Sequence, residues 1–399
     1  MMSIFVQMVS YKNFDVIPTI KDCIEKCSNK DALYFGLCLQ QNEPPPAELN
    51  HPRIKVSVVP FGDSAGPGWA RRQAQNFYDG QDYVFQIDSG SRFVQNWDVE
   101  LIGALSATGS PKAMITNFPN RFNPANGELE QPSVAYKVQV YSFLGQTPAT
   151  WPSPMKGATA MSRACYLNES FFFAKGEHCR ECPYDPAMYT SESEASMAVR
   201  SFTLGYDFFC HFKPVVWRDY APRPANWQDD PSWWLKDMSS KERLKNLVSG
   251  RLGEFGLGNA RSVRDFELYS GIDFVNRRIQ RSTVTGADAP CKYENEEQWN
   301  NEYMKDYNIT VSWDVNEIER CDDYDYWYFS VEDAADQTLH RQDFRIEHDA
   351  DLIAFKRNFK KISFRVVGNK VPSKICVWPV SKSKGWLKKS KFDLSVDSL

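Results

Sequence analysis

The stretch Gln86-Ile87-Asp88-Ser89-Gly90-Ser91-Arg92-Phe93 decides the fold predicted for this chain. It closes an apolar run that begins at Tyr83, and small residues follow its acidic residue. This order predicts a strand that places the Asp88 carboxylate at the carboxyl end of a sheet. In open α/β folds, ligands bind outside the carboxyl ends of the strands. The stretch therefore predicts a Rossmann-like sheet with a ligand site at Asp88.

The first ninety residues alternate between strand and helix patterns. Further strands are predicted over residues 4–10, 33–39 and 54–59. A first helix is predicted from apolar residues at helical spacing, Ile17, Ile20, Ile24 and Cys27. A second helix is predicted to open at Pro67, with a buried stripe of Ala70, Ala74, Phe77 and Tyr78. Strands that alternate with helices predict a mostly parallel sheet.

The rest of the chain predicts two further regions. From about 110 to 235 the pattern is irregular and rich in Pro, Trp and Phe, which is typical of a substrate-binding half. Residues 283–306 are poor in apolar residues and are predicted to be a linker. After them, short apolar runs predict a β-sandwich over 307–399. The predicted organisation is thus an α/β domain over 1–282, the linker, and a small β-sandwich.

Charge is distributed unevenly along the 399 residues. The formal net charge is only -4, with 47 basic and 51 acidic residues, which argues neither for an obligate nucleic-acid binder nor for disorder. Residues 352–392 nevertheless contain no Asp or Glu and carry +12, so the remainder carries -16. This segment either contacts an anionic partner or forms the solvated face of the β-domain. The second interpretation is favoured because the lysines alternate with apolar residues.

Cysteine usage and the N-terminus predict a cytoplasmic protein. The ten cysteines are scattered, and the first residues, MMSIFVQMVSYK, resemble a strand rather than a signal peptide. No apolar run approaches the length needed to span a bilayer. We therefore expect reduced thiols and no transmembrane segment.

Several segments resemble, in order, the retaining GT-A-type GlcNAc-transferases whose founding members glycosylate hydroxyproline on a cytoplasmic protein. The resemblance covers residues 3–280 and leaves out the C-terminal β-region. The main matching segments are Ser10-Tyr11-Lys12, Gly66-Pro67-Gly68-Trp69-Ala70-Arg71, Gln86-Ile87-Asp88-Ser89, Pro183-Tyr184-Asp185-Pro186, Glu194-Ala195-Ser196-Met197-Ala198-Val199-Arg200, Gly205-Tyr206-Asp207-Phe208-Phe209 and Tyr269-Ser270-Gly271-Ile272-Asp273-Phe274. The resemblance implies a GT-A glycosyltransferase domain and a UDP-sugar as donor.

The resemblance also implies two histidines that this chain lacks. Transfer from a nucleotide sugar requires stabilisation of the diphosphate leaving group, commonly by a divalent cation on carboxylates. Asp88 is the predicted catalytic carboxylate and first metal ligand. The resemblance implies an Asp-Ser-His pattern here and a second histidine later. Gly90 stands at the first of these places, and Arg218 at or beside the second.

Three interpretations of this departure stay open. In the first, Arg218 is a catalytic residue that neutralises the diphosphate, so that Mn²⁺ or Mg²⁺ is unnecessary or loosely held. In the second, Asp88 binds the cation with help from water or from His211. In the third, the fold is kept for binding without turnover.

The remaining predicted site residues surround the donor. Glu194 is predicted to face the sugar as a catalytic residue, whereas Glu192 is predicted to favour only the helix dipole. Arg71 is predicted to meet ribose or phosphate, with a surface salt bridge as the alternative. Arg92 either touches substrate or pairs with Asp88. The full predicted donor site is Ser10, Tyr11, Lys12, Arg71, Gln86, Asp88, Ser89 and Arg92.

The predicted function is the transfer of GlcNAc or a related sugar from a UDP-sugar to a hydroxyl of a protein side chain or a glycan. One alternative acceptor is a hydroxylated base of DNA, because a lysine-rich β-domain could contact phosphates. The other alternative is a homologue without turnover that binds nucleotide sugars or carbohydrates.

Overall fold

The structure is a computed structural model that describes residues 2–12, 15–130, 134–312, 317–345 and 361–394. The chain divides into two compact units, Met1–Tyr293 and Glu294–Leu399. This division lies inside the predicted linker of residues 283–306. The limits of the domains on either side of the linker stay a prediction.

The first unit combines one large sheet with helices and smaller strand pairs. Its strands are β1 (Ile4–Tyr11), β2 (Leu33–Gln40), β3 (Ile54–Val59), β4 (Tyr83–Asp88), β5 (Ser91–Phe93), β6 (Ala113–Thr116), β7 (Asn120–Arg121), β8 (Tyr136–Leu144), β9 (Thr147–Pro154), β10 (Ser162–Arg163), β11 (Phe171–Lys175), β12 (Asp207–Cys210), β13 (Val216–Arg218), β14 (Ile272–Asp273) and β15 (Arg278–Gln280). Its α-helices are α1 (Val16–Lys26), α2 (Pro67–Gln75), α3 (Trp97–Ala107), α4 (His178–Glu181), α5 (Glu192–Thr203), α6 (Asn226–Asp229), α7 (Trp233–Val248), α8 (Val263–Ser270) and α9 (Arg281–Val284).

The large sheet has eight strands in the order β10-β12-β6-β11-β4-β1-β2-β3. Strands β4, β1, β2 and β3 run parallel to one another, and β12 runs parallel to β6. Only β11 among the central strands runs the other way, and it pairs with both β4 and β6. Successive residues of β1 and β4 enter two different core clusters, so both faces of the sheet are buried. The predicted Rossmann-like GT-A fold is confirmed.

Helix α2 is shorter than the sequence pattern predicts. It begins at Pro67 as predicted, after Gly66 with a φ of 95°, but it ends at Gln75. Phe77 and Tyr78 therefore lie beyond the helix, where they are partly buried against the core. The prediction that they belong to the helical stripe was wrong because an apolar spacing alone does not mark where a helix ends.

The second unit is built mainly of antiparallel strands. Its elements are α10 (Glu296–Asn301), β16 (Tyr303–Ser312), β17 (Tyr324–Glu332), β18 (Thr338–Arg345), β19 (Lys361–Gly368), β20 (Lys374–Ser381), β21 (Gly385–Trp386) and β22 (Ser390–Asp393). Strand β16 pairs with β19, whereas β18, β17, β20 and β21 form a second sheet in that order, with β22 also on β20. Apolar side chains from both sheets share one core, among them Ile309, Trp327, Val366 and Val377. This arrangement is the predicted β-sandwich.

Lysines of the basic segment have acidic partners inside the second unit. Lys374 and Lys391 lie 2.9 Å from Asp336, and Lys391 also lies 2.7 Å from Glu332. Lys370 lies 3.4 Å from Asp333. These pairs favour a solvated face for this part of the segment. Residues 352–360 of the segment lie outside the described residues.

In the part of the chain that the structure describes, no helix is both long and apolar enough to cross a membrane.

Candidate functional site

Three strands bring the central residues of the site together. Strand β4 ends at Asp88, at the carboxyl edge of the parallel strands. Because β11 is antiparallel and pairs Phe171 with Ile87, the residue before it, Ser170, reaches the same edge. Strand β13 pairs Arg218 with Ser91 of β5, and Ser91 lies three residues after Asp88. A carboxylate, a hydroxyl and a guanidinium therefore meet at one point.

The Asp88 carboxylate is held by two arginines and a serine. Its Oδ2 lies 3.0 Å from Arg218 Nη2 and accepts a hydrogen bond of 2.9 Å from Ser170 Oγ. Its Oδ1 lies 3.4 Å from Arg71 Nη2. Burial opposes ionisation, but Arg218 and Arg71 outweigh it and lower the pKa of Asp88. Asp88 is therefore a carboxylate at neutral pH, and it fixes both guanidinium groups.

Arg71 continues this network toward a second carboxylate. Its Nη1 lies 2.7 Å from Glu169 Oε2, and Ser193 donates its hydroxyl to Glu169 at 2.7 and 2.8 Å. Burial would lower the pKa of Arg71, but Glu169 and Asp88 raise it, so the guanidinium stays charged. The alternative of a surface salt bridge was wrong, because the Arg71 side chain is only 9% exposed. The Nε of Arg71 and of Arg218 are buried without a hydrogen-bond partner among the described residues.

Glu194 lies beside Glu169 at the start of α5. Its Oε2 accepts a 3.0 Å hydrogen bond from the backbone N–H of Glu169. Burial and then the nearby Glu169 carboxylate raise the pKa of Glu194 to about 8. Glu194 is thus largely a neutral carboxylic acid at pH 7. Glu192 does more than cap the helix, since it is buried and accepts hydrogen bonds from Thr147 and Ser240.

We expect Glu194→Gln to make stability less dependent on pH. An acid whose pKa is raised on folding binds its proton more tightly in the folded state, so stability falls as pH rises from about 4.5 to about 8. Glutamine removes this loss. Relative to wild type, the variant should gain at least about 1.4 kcal/mol between pH 5 and pH 8, the equivalent of one pKa unit. Urea unfolding at both pH values measures it.

The control for this experiment is Glu242→Gln, since Glu242 is exposed on α7. It should follow the wild-type pH dependence. Equal slopes for Glu194→Gln and wild type would contradict the neutral form of Glu194.

Gly90 leaves the space that a third arginine occupies. Gly90 has a φ of 76°, and a Cβ placed on it would lie 2.2 Å from Arg223 Nη2. The Arg223 guanidinium donates to the Ser89 carbonyl at 3.0 Å and to Asp219 at 2.9 Å. The position where the resemblance implies an imidazole is therefore filled by a guanidinium from another part of the chain.

We expect Gly90→Ala to lower stability by about 3 kcal/mol. The left-handed backbone costs an alanine about 1–2 kcal/mol, and displacing Arg223 from its charged hydrogen bonds adds a similar amount. Gly109→Ala is the matched control, because Gly109 has a φ of 67° with open space around it. It should lose only the backbone part. Equal losses in chemical denaturation of the two variants would show that Arg223 is not displaced.

The segment after β1 lies against α6. Tyr11 donates its hydroxyl to Asp229 at 2.6 Å, and Lys12 Nζ lies 2.7 Å from the same carboxylate. Lys12 Nζ also lies 3.8 Å from the centre of the Phe61 ring. Ser10 is buried, and its carbonyl accepts from Gln40. Tyr11, Lys12 and Phe61 thus form one cluster of two aromatic rings and a lysine, which we call the aromatic and basic corner.

The other predicted donor residues have separate surroundings. Gln86 is buried, and its Nε2 donates to the Ile87 carbonyl. Ser89 is buried, and its carbonyl accepts from Arg223. Arg92 donates to the Ser91 carbonyl and lies 4.7 Å from the Phe122 ring. The described contacts of Arg92 thus do not include Asp88, its predicted alternative partner.

The residues around Asp88 do not form a preassembled metal site. Both Asp88 oxygens already face guanidinium groups, which repel a dication. His211 has partners elsewhere, since Nδ1 lies 2.9 Å from the Lys213 carbonyl and Nε2 lies 3.2 Å from Glu100. Within the described ranges, no three His, Cys, Asp or Glu side chains are grouped so that they could hold a metal ion. The oxygens of Asp88 are therefore already engaged by guanidinium groups rather than grouped with other metal-ligating side chains of the described residues.

Sequence reasoning missed Glu169, Ser170 and the position of Arg223. The signal for the first two was a polar triplet, Asn168-Glu169-Ser170, directly before the apolar run of β11. It could not be used without knowing that β11 enters the sheet antiparallel. The sequence alone gives Arg223 no role beside Gly90, because the two residues lie 133 positions apart.

Comparison with known proteins finds solved structures of low similarity to this chain. No curated protein matches the chain. Similar solved structures include GalNAc-T7 with UDP, GalNAc and Mn²⁺, at 11% identity and a TM-score of 0.44, covering 66% of this chain and 54% of that protein. They also include TarS 1-349 of S. aureus, at 10% identity and a TM-score of 0.43, covering 69% of this chain and 71% of that one. The chain thus spans about half the length of GalNAc-T7.

The family assignment comes from a match to the sequence. The family model for "Glycosyltransferase (GlcNAc)" matches residues 41–276, more than half of the chain. The matched range contains the strand that ends at Asp88 together with Glu169, Glu194 and all three arginines of the site. The chain belongs to this GlcNAc glycosyltransferase family.

Proposed function

We propose that this protein transfers GlcNAc, or a related sugar, from a UDP-sugar to a hydroxyl group with retention of configuration. The observation that carries the proposal is the Asp88 carboxylate at the sheet edge, joined to Arg71 and Arg218. These guanidinium groups are placed where an open α/β fold binds its ligand. Both guanidinium groups offer fixed donors of the kind that bind the diphosphate of a nucleotide sugar, although Asp88 and Glu169 balance their charge in the absence of donor.

The proposed mechanism rests on electrostatic stabilisation of the leaving group. Transfer breaks the bond between the anomeric carbon and the diphosphate and forms a bond to the acceptor oxygen, so negative charge grows on the diphosphate. Arg218 can contact the diphosphate as this charge develops, because its side chain is 30% exposed. Its buried Nε also has no hydrogen-bond partner among the described residues. Fixed cations that require no reorganisation are effective in such a role. We propose that Arg71 and Arg218 replace a divalent cation in this role, or that a cation, where present, is only loosely held.

Glu194 is proposed to face the donor sugar. Since its raised pKa keeps it largely protonated, it can donate a hydrogen bond to a sugar hydroxyl without placing another negative charge near the diphosphate. The aromatic and basic corner of Tyr11, Lys12 and Phe61 is proposed to receive the uracil and ribose. Asp229 pairs with Lys12 there, so donor binding would have to rearrange this contact.

The acceptor is proposed to enter through a cavity of about 970 Å³ beside Arg218. The cavity is lined by charged and aromatic residues that include Arg121, Glu130 and Tyr220. The Arg218 guanidinium lies 5.3 Å from the Tyr220 ring, which connects the cavity to the Asp88 network. Such a lining suits a hydroxyl-bearing protein side chain or a glycan.

Two alternative functions are less favoured and can be tested separately. A hydroxylated DNA base as acceptor is less favoured, because lysines of the basic segment pair with Glu332, Asp333 and Asp336. A homologue without turnover would bind UDP-sugars but leave them intact. A cytoplasmic location stays proposed, and it agrees with ten cysteines that are all free thiols.

The decisive experiment is a screen of UDP-, GDP- and TDP-sugars for nucleotide release, with Mn²⁺ and with EDTA. We expect release of UDP from UDP-GlcNAc or a related UDP-sugar, reduced less than about threefold by EDTA. Activity that disappears with EDTA would overturn the role given to the arginines. Binding without hydrolysis or transfer of any nucleotide sugar would favour the homologue without turnover.

A further inference from the structure

An aromatic patch covers part of the outer face of the second unit's larger sheet. We define this patch as Tyr326, Tyr328, Trp378 and Trp386. Along β17 the side chains of Trp327, Phe329 and Val331 enter the core, so Tyr326 and Tyr328 face the opposite way. The strand register places Tyr328 opposite Trp378, and Trp386 opposite Val380. The four rings therefore come from three neighbouring strands of one face.

The rings of the patch contact one another and leave apolar surface exposed. The centroids of Trp378 and Trp386 lie 4.2 Å apart, and Tyr326 and Tyr328 meet Trp386 edge-on at 5.9 and 6.5 Å. Trp386 is nevertheless 50% exposed. Large exposed aromatic side chains grouped on one face of a protein mark a binding site more often than an ordinary surface.

Polar side chains with fixed geometry border the patch. Arg341 donates to both oxygens of Asp343, at 2.9 and 2.8 Å, and to the Tyr326 hydroxyl at 3.0 Å. Its guanidinium lies 4.8 Å from the centre of the Tyr328 ring. Donors and acceptors are thus held in place at the rim of an apolar platform, an arrangement that is typical of ligand sites.

The chemistry of the patch matches a saccharide. A pyranose ring has an apolar face of C–H groups, which stacks on an indole or phenol ring, and a rim of hydroxyls, which needs both donors and acceptors. The competing ligand would be single-stranded nucleic acid, which stacks its bases on aromatic rings but also requires cations for its phosphates. Arg341 is neutralised by Asp343, and Lys389, which lies 5.3 Å from the Trp378 ring, also lies 3.9 Å from Glu332. We propose that the aromatic patch is a glycan-binding site separate from the site at Asp88.

The test measures saccharide binding by the full chain. Chitotetraose, cellotetraose, maltotetraose and mannotetraose are titrated while tryptophan fluorescence and heat are recorded. We expect at least one of them to bind, and Trp386→Ala to weaken that binding about tenfold or more, in line with the loss of one stacked ring. Trp151→Ala is the control, since Trp151 is 62% exposed on β9 of the first unit. It should leave the affinity unchanged.

Further variants separate saccharide binding at the aromatic patch from turnover at Asp88. Arg341→Ala should also weaken binding, because it removes rim donors without removing a ring. Trp386→Ala should keep the wild-type rate of UDP-sugar turnover, whereas Asp88→Ala should lose turnover but keep saccharide binding. Failure of the function proposed at Asp88 is thereby distinguished from failure of the glycan site.

Exposed Lys382 and Lys384 lie close in sequence to Trp386, so a 20-residue oligo-dT is included as a probe. Saccharide binding that depends on Trp386 and changes little between 50 and 500 mM NaCl supports the proposal. The proposal is overturned if none of the four saccharides binds, or if Trp386→Ala binds them as wild type does. It is also overturned if only the oligonucleotide binds, with the steep salt dependence expected of phosphate contacts.

Discussion

Arg218→Ala is expected to lower the turnover of the UDP-sugar substrate about 10²–10³-fold, the loss typical of removing one fixed electrostatic donor from a transition state. Arg218 Nη2 lies 3.0 Å from Asp88, and Nη1 donates to Ser170 at 2.9 Å, so its guanidinium is held in one orientation. Most of the loss should appear in kcat, because the charge on the diphosphate grows as the bond to the sugar breaks. Steady-state release of UDP measures it.

The control and the conservative variant separate charge from structure. Arg261 also pairs with a carboxylate, at 2.8 Å from Asp207, and its side chain is 29% exposed against 30% for Arg218. It lies at the other edge of the sheet, so Arg261→Ala should leave kcat unchanged. Arg218→Lys keeps the charge but not the fork of donors, so it should recover only part of the rate. An Arg218→Ala enzyme with wild-type kcat, or one restored fully by Mn²⁺, would reject the proposed role of Arg218.

The sheet and Asp88 could be predicted because both are local properties of the sequence. An apolar run with a charged end is visible within six residues, and it predicted β4 with its limits of Tyr83 and Asp88. Strand β3 also spans the predicted residues 54–59, although it is an edge strand in which Lys55 and Ser57 alternate with apolar residues. Parallel strands buried on both faces, such as β4, give continuous apolar runs. These strands could therefore be predicted from the sequence.

The partners of Asp88 could not be predicted from such patterns. Ser170 reaches Asp88 only because β11 runs antiparallel within a parallel sheet, 82 residues further along the chain. Arg218 was found through the resemblance to a family and not through spacing. At Gly90 the sequence showed that an imidazole is missing, but only the structure shows that Arg223 occupies its place. Contacts between residues distant in sequence depend on topology, which one sequence does not reveal.

Asp88→Asn is expected to lower turnover about 10²–10³-fold while leaving the affinity for UDP equal or higher. Asparagine keeps the size of the side chain but removes the negative charge that orients Arg71 and Arg218. Both arginines then offer more uncompensated positive charge to the diphosphate, so UDP should bind at least as tightly. If Asp88 instead held a divalent cation, the variant would lose it, and UDP affinity would fall about tenfold or more and depend on Mn²⁺. Calorimetric titration with UDP, in EDTA and in Mn²⁺, distinguishes these outcomes.

Stability provides the matched control for this variant. Asp207 also lies between two arginines, 3.1 Å from Arg163 and 2.8 Å from Arg261, and its side chain is 20% exposed against 16% for Asp88. Removing one partner of a buried ion pair costs about 3–5 kcal/mol, and since Asp88 and Asp207 are similarly exposed, Asp88→Asn and Asp207→Asn should be destabilised similarly. Asp207 lies at the amino end of β12, at the opposite sheet edge, so only Asp88→Asn should lose turnover. Equal losses of turnover would mean that the Asp88 result reflects destabilisation and not the chemistry of the site.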